Sequence, residues 1–221
     1  MLRIPTVGEV LTNEKKYFGL VSALTSVPYQ YMVQLDDAGI DFTTISDFEL
    51  FMMLFPTYAN DDISILFGDL DLSDMGIYVN KQNGKRVVYS PQNDLSIDEA
   101  TYLNMAQMVR KINLLTRVNT KPGNDKAKEY LIEKNRKKQK RLARKKPESE
   151  LEKLIIALVN QKDFKYNYEQ VMDLPIYNFY QSFKQVQTNI NFENTMRGIY
   201  AGTLDSKKIT DKSCLSWIPS K

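Results

Sequence analysis

The sequence predicts a three-part chain: an α+β N-terminal unit with a small antiparallel sheet (residues 1–120), a charged helical linker (121–150) and a small all-α C-terminal domain (151–221). Three observations carry this. In IYVNKQNGKRVVY, residues 77–89, Asn83-Gly84 sits between β-prone runs and marks a hairpin. Lys134 to Lys146, KNRKKQKRLARKK, holds nine Lys and Arg among 13 residues and no acid. Beyond Pro147, apolar residues return at helical spacing. The three parts carry net charges of −6, +7 and +2 within an overall +3, so the mild total hides a dipolar chain with a candidate interaction arm.

A chain of 221 residues with 43% hydrophobic content buries a substantial core and is not disordered throughout. The longest apolar runs, Leu50 to Phe55 and Leu154 to Val159, are six residues each, far short of the ~20 that span a bilayer. The first residues, MLRIPTVGEV, lack a secretory pattern, and a soluble intracellular protein with no membrane partner is expected. Cys214 is the only cysteine and there is no histidine. Internal disulfides, thiolate clusters, Ser-His-Asp and Cys-His catalysis and His-ligated zinc are thereby excluded. Carboxylate chemistry and magnesium sites survive.

In chain order, Asn13 is placed to cap a helix through about Leu24, Tyr29 to Leu35 adds a turn or two, and Asp37-Ala38-Gly39 breaks it. Ser46 with Glu49 forms a capping box, predicting a helix over 47–55 that ends at Pro56. Its apolar residues nearly surround the axis, so it belongs in the core. Asp61, Asp62, Asp69, Asp71 and Asp74 cluster, but DLDLSDMGIYVN lacks the Gly at position six and the Glu at position twelve of a calcium loop. It reads as turns and a solvated face, with no metal and no cofactor. A two-residue turn at Asn83-Gly84 sets Val79 opposite Val88, Tyr78 opposite Tyr89 and Lys81 opposite Arg86, a like-charge pair. Ser96-Ile97-Asp98-Glu99 starts a helix to about Leu115, with Ile97, Met105, Met108, Val109, Ile112 and Leu115 on its apolar stripe.

Lys121-Pro122-Gly123-Asn124 is the next breaker, and Asn124 caps a helix from Asp125. Tyr130 and Leu131 are placed to anchor its first turns, but between Glu133 and Arg141 there is no apolar residue, so the segment is expected to be an exposed helix or arm. Lys134, Arg136, Lys137, Lys138, Lys140, Arg141, Arg144, Lys145 and Lys146 form its electrostatic face. Its candidate partners are an acidic protein surface, within the chain or on another copy, and nucleic acid bound without sequence preference.

After Pro147, Leu151, Leu154, Ile155, Leu158 and Val159 share a helical face, and Asn167 with Gln170 frames a second start. Pro175 opens a helix to about 188 whose stripe is Ile176, Phe179, Tyr180 and Phe183. A short final helix runs from Phe192 to about Tyr200, stopped by Gly202, and Leu215, Trp217 and Ile218 are spaced to dock, Trp217 as a core or lid residue. The aromatics exceed what so small a core needs. Tyr177, Phe179, Tyr180 and Phe183 are therefore candidate partner contacts, with Phe179 and Phe183 on the buried line and the tyrosines at its edge.

The runs DLPIYNFYQSFKQV at 173–186, MRGIYAGTLDSKKI at 196–209 and SCLSWI at 213–218 resemble the tail assembly chaperones and related minor tail proteins of long-tailed bacteriophages. That resemblance implies a non-enzymatic protein that binds the tape measure protein or tail tube subunits in the host bacterial cytoplasm. It transfers no catalytic residue. A baseplate or neck assembly component, a nucleic-acid-binding accessory protein acting through 134–146 and a homo-oligomer remain alternatives.

Overall fold

The run DFELFMMLF is apolar over most of its circumference, so the helix it forms needs cover on several sides; Met53, at 44% exposure, is the part left to solvent. In the computed structural model, which describes residues 2–59, 63–81, 83–118, 120–144 and 148–218, the chain forms two compact units. One comprises Met1–Ile4 with Asn13–Ser149; the other comprises Pro5–Thr12 with Glu150–Lys221. This division differs from the one expected. Residues 5–12 join the helical unit, and the helix of the basic segment is part of the α+β unit.

In the helical unit, α1 (Val7–Thr12) is followed much later by α8 (Glu150–Val159), α9 (Tyr168–Met172) and α10 (Ile176–Tyr200). The α+β unit contains α2 (Glu14–Thr25), a 3₁₀ turn (Pro28–Tyr31), α3 (Met32–Asp37), α4 (Asp47–Ala59), α5 (Ser64–Phe67), the strands β1 (Gly76–Val79), β2 (Arg86–Ser90) and β3 (Leu95–Ile97), α6 (Glu99–Ile112) and α7 (Asp125–Leu142). An α+β arrangement with a small antiparallel sheet is what the sequence predicts.

α4 opens with the expected box: the Ser46 amide donates to Glu49 Oε2 at 2.9 Å and the Glu49 amide to Ser46 Oγ at 3.1 Å. It does not stop at Pro56 but runs on to Ala59. An internal proline costs a helix about 3 kcal/mol. Here Phe48, Leu50, Phe51, Met52 and Phe55 are all buried, and their burial offsets that cost. The Phe51 ring stacks on Phe55 at 4.9 Å and on Tyr102 of α6 at 4.7 Å. α6 begins two residues later than expected. Asp98, not Ser96, is its cap, accepting from the Thr101 amide at 2.8 Å, while Ser96 and Ile97 belong to β3. Met105, Val109 and Ile112 are buried with Tyr102 and Ala106, whereas Met108 and Leu115 are exposed.

The sheet is a meander, β1-β2-β3, all antiparallel. Its hairpin is two residues off the expected register: Ile77 faces Val88, Tyr78 faces Val87 and Val79 faces Arg86. The Asn80 amide donates to the Lys85 carbonyl at 2.8 Å and the Gly84 amide to the Asn80 carbonyl at 2.8 Å, so the loop has four residues, 81–84, with Gly84 at φ +68. A shift of two keeps every side chain on its face. It also removes the opposition of Lys81 and Arg86, and Arg86 instead pairs with Glu49 at 2.9 Å.

The helical unit gathers around Val7, Val10, Leu151, Ile155, Leu158, Val171, Ile176 and Phe179, all buried. The N-terminal segment is held by backbone bonds: the Val7 amide donates to Leu174 and the Ile176 amide to Pro5, each at 2.8 Å. Thr6 and Glu9 close a capping box over α1. Asn167 and Gln170 do so over α9, as the sequence predicts. α10 is one helix of 25 residues, about 38 Å long, where two shorter ones were expected. No proline or glycine lies between Ile176 and Arg197, so nothing interrupts the hydrogen-bond ladder before Gly202 at φ +71.

Two outcomes follow for the helical unit. A fragment 150–221 lacks Val7 and Val10 and should melt broadly and early by circular dichroism, whereas fusing residues 1–13 to it should restore a cooperative transition. Phe179→Ala should cost ~3–5 kcal/mol in denaturant unfolding, and Phe183→Ala clearly less because Phe183 is only half-buried. Equal costs for the two would contradict this placement.

Candidate partner-binding surfaces

The basic helix α7 has few apolar residues, yet it is not a free arm. Asn124 caps it, accepting from the Ala127 amide at 2.8 Å. Lys128, Leu131, Ile132, Asn135 and Arg136 fall at i, i+3, i+4, i+7 and i+8 and form one partly buried stripe. Leu131 and Ile132 pack against the cluster of Met32, Val33, Leu35, Phe42 and Leu50. Charged ends complete the stripe. Arg136 reaches Asp37 Oδ1 at 2.6 Å and Asp36 Oδ2 at 2.8 Å, and Lys128 Nζ lies 2.8 Å from Asp41 Oδ2. The acidic surface suited to this helix is thus α3 of the same chain. The expected absence of a packing face is corrected: a stripe with two apolar residues between cationic ones was readable from the spacing but hidden by its low hydrophobicity.

Of the nine residues assigned to the electrostatic arm, Arg136 is consumed in docking. Lys137 pairs with Glu133 at 2.7 Å, and Lys134 lies 5.9 Å from the centre of the Tyr130 ring. Lys138, Lys140, Arg141 and Arg144 are exposed and make no ion pair among the described residues. Lys145 and Lys146 lie outside the described residues. Lys134, Lys138 and Arg141 share a cleft of ≈ 490 Å³ with Tyr29 and Leu131. This surface is a basic strip with an aromatic edge.

On α10 the four aromatic candidates separate. Phe179 is fully buried and is a core residue, unavailable for an external contact; the Tyr180 ring packs 5.8 Å from it. Tyr177, Tyr180 and Phe183 are half-buried. Val186 takes the buried position expected of Phe183, because the buried line follows Ile176, Phe179 and Val186. The turn Lys212–Leu215 packs on α10 with Leu215 half-buried, as expected of a docking residue, and Gln185 Nε2 donates to the Trp217 carbonyl at 2.8 Å. The Trp217 ring is 58% exposed and is neither core nor lid. Ile218 and Tyr200 are exposed beside and beyond it. Cys214 Sγ donates to the Asp211 carbonyl.

The acidic cluster serves the turns. Asp71 accepts from the Ser73 amide at 2.9 Å, and Asp74 accepts from Ser90 Oγ at 2.6 Å and the Gln92 amide at 2.7 Å. Asp61 and Asp62 lie outside the described residues. Among the described residues no group of three or more His, Cys, Asp or Glu is placed to hold a metal, and no helix is long and apolar enough to cross a membrane. The Tyr102 hydroxyl is pushed up to about 12, chiefly by burial against Phe48 and Phe51.

The docking of α7 carries a pH signature. The Lys128 ammonium, with the Thr43 amide and hydroxyl, lowers the Asp41 carboxyl to about 2. Its folded value lies below the ~3.9 of an unfolded aspartate, so its contribution is complete above pH ~4 and is lost as the pH falls towards 2. Asp41→Asn should lower the melting temperature at pH 7, and the difference from the parent chain should close by pH ~2. A gap that stays constant over that range would remove Asp41 from the account.

Comparison with curated proteins and with solved structures finds no match. Residues 137–220 match the family model of the YomV second domain. The match begins in the last turns of α7, takes in α8, α9, α10 and the docked tail, and covers less than half of the chain. The C-terminal part of this protein is thus similar to a phage-derived domain family, the YomV second domain.

Proposed function

We propose that the chain is a non-enzymatic tail assembly protein of a long-tailed phage, holding the tape measure protein or tail tube subunits in the host bacterial cytoplasm before assembly. The match of residues 137–220 to a phage-derived domain carries this reading. It is supported by the apolar surface of the same residues, where Tyr200, Trp217 and Ile218 are exposed and Tyr177 and Tyr180 keep one edge in water. Aromatic rings of this kind bury large area at low entropic cost in a partner's groove.

The full chain should bind the purified tape measure or tube protein of the same phage. Tyr177→Ser with Tyr180→Ser should weaken that binding by ~2 kcal/mol, roughly 30-fold, while the thermal melt stays near that of the parent. Failure of the parent chain to bind either protein would defeat the reading; full binding by the folded double variant would remove this face from it.

The second reading, nucleic-acid binding, is favoured by the uncompensated Lys138, Lys140, Arg141 and Arg144. Changing these four to Gln should abolish low-salt DNA retention and leave the melt unchanged, whereas Arg136→Gln should loosen α7 itself. Retention should fade by ~0.15 M salt, as for contacts to phosphate alone. Sequence-selective binding that persists there would promote this reading over the first.

A further inference from the structure

Among the described residues β1 is an open edge of the three-stranded sheet, paired with β2 on one side and with no strand on the other. Edges of natural sheets are commonly protected by charge, proline or a bulge. Gly76–Val79 carries none of these, and three consecutive apolar residues, Ile77, Tyr78 and Val79, are each exposed.

The hydrogen-bond phase shows which groups point outward. Asn80 and Lys85 are a bonded pair, and antiparallel pairs alternate between bonded and non-bonded. Tyr78 with Val87 and Gly76 with Tyr89 are therefore the bonded pairs to β2, which directs the amides and carbonyls of Ile77 and Val79 away from the sheet. The side chains of Ile77 and Val79 lie on the face of Val88 and Ile97, both buried, so the core's apolar surface continues out to the edge.

We propose that β1 pairs antiparallel with β1 of a second copy of this chain, across a two-fold axis through Tyr78. This register alone sets Ile77 against Val79 on both sides of the axis and completes four backbone hydrogen bonds from the four outward groups on each strand. The Ile77 and Val79 side chains of both copies then form one apolar row continuous with Val88. The two Tyr78 rings meet on the opposite face, beside Tyr89, whose ring already lies 5.6 Å from Tyr78. The strand ends are complementary in charge. Asp71 and Asp74 precede β1 and Lys81 follows it, so antiparallel pairing brings the basic tip of each hairpin beside the acidic start of the other. Four residues of edge make a small interface, at the weak and reversible end of the range. The inference does not depend on the tail-assembly reading.

Sedimentation equilibrium of the full chain should show a concentration-dependent monomer–dimer transition. Val79→Pro deletes an outward donor without touching a bond to β2, and should raise the dissociation constant at least tenfold with an unchanged melt. Should the proline variant melt early, Val79→Lys, which keeps the backbone intact, should give the same weakening. In a Cys214→Ser background, Tyr78→Cys should oxidise to a covalent dimer, since its Cα atoms would face each other at about 4.5 Å, while Ile77→Cys should not. A chain still monomeric at about 1 mM, a dimer indifferent to both Val79 variants, or equal cross-linking at positions 77 and 78 would each overturn the proposal.

Discussion

The α+β unit depends on one constraint: α4 is apolar on most sides and needs cover on several of them, with Met53 left exposed. Its aromatic side is closed by Tyr102, stacked on Phe51, and by Phe67, 5.9 Å from Phe55. Another side, through Leu50, joins the cluster on which Leu131 and Ile132 of α7 rest. Its first turn holds the periphery by charge. Asp47 binds Arg117 at 2.8 Å, and Glu49 binds Arg86 of β2 while closing the capping box. The Glu49 carboxyl is lowered first by the Ser46 amide and further by Arg86. A single amphipathic stripe would have required one neighbour; a helix apolar on most sides requires several.

The charge asymmetry of the chain resolves mostly within the α+β unit. Basic α7 meets acidic α3 through Arg136 with Asp36 and Asp37, and the segment after α3 through Lys128 with Asp41. Surface ion pairs contribute little each. These sit beside a dry contact, so their effect is to fix the rotation of α7 that buries Leu131 and Ile132. The same rotation leaves Lys138 and Arg141 on another side, lining the cleft with Tyr29. An arm that looked uniformly charged thus has an inner, structural line and an outer line free to attract anions.

The helical unit shows a different balance. It encloses Phe179 and Ile176 but leaves Tyr200, Trp217 and Ile218 in solvent. The Trp217 carbonyl accepts from Gln185, while the residue stays 58% exposed. The indole of Trp217 and the side chain of Ile218 stay in solvent at the end of the tail.

Local signals by themselves determined the class of the fold and most element starts. Ser46 with Glu49, Asn124 and Asn167 with Gln170 act within four residues of chain, so their geometry needs no tertiary partner. The periodicity that buries Leu151, Ile155 and Leu158 was equally legible. What only the tertiary structure decided were choices between near-equal local options. Pro56 stays helical because the burial around it outweighs a lost bond, and the hairpin takes a four-residue loop that keeps Ile77 opposite the buried Val88, a choice between two registers that place every side chain on the same face. Val186, seven residues from Phe179, takes the buried line rather than Phe183, four residues from it; both spacings return to the same side of a helix, and only the neighbouring elements select between them. The placement of residues 5–12 against α9 and α10 joins segments about 165 residues apart through backbone bonds, and backbone groups carry no side-chain pattern from which such pairing is read.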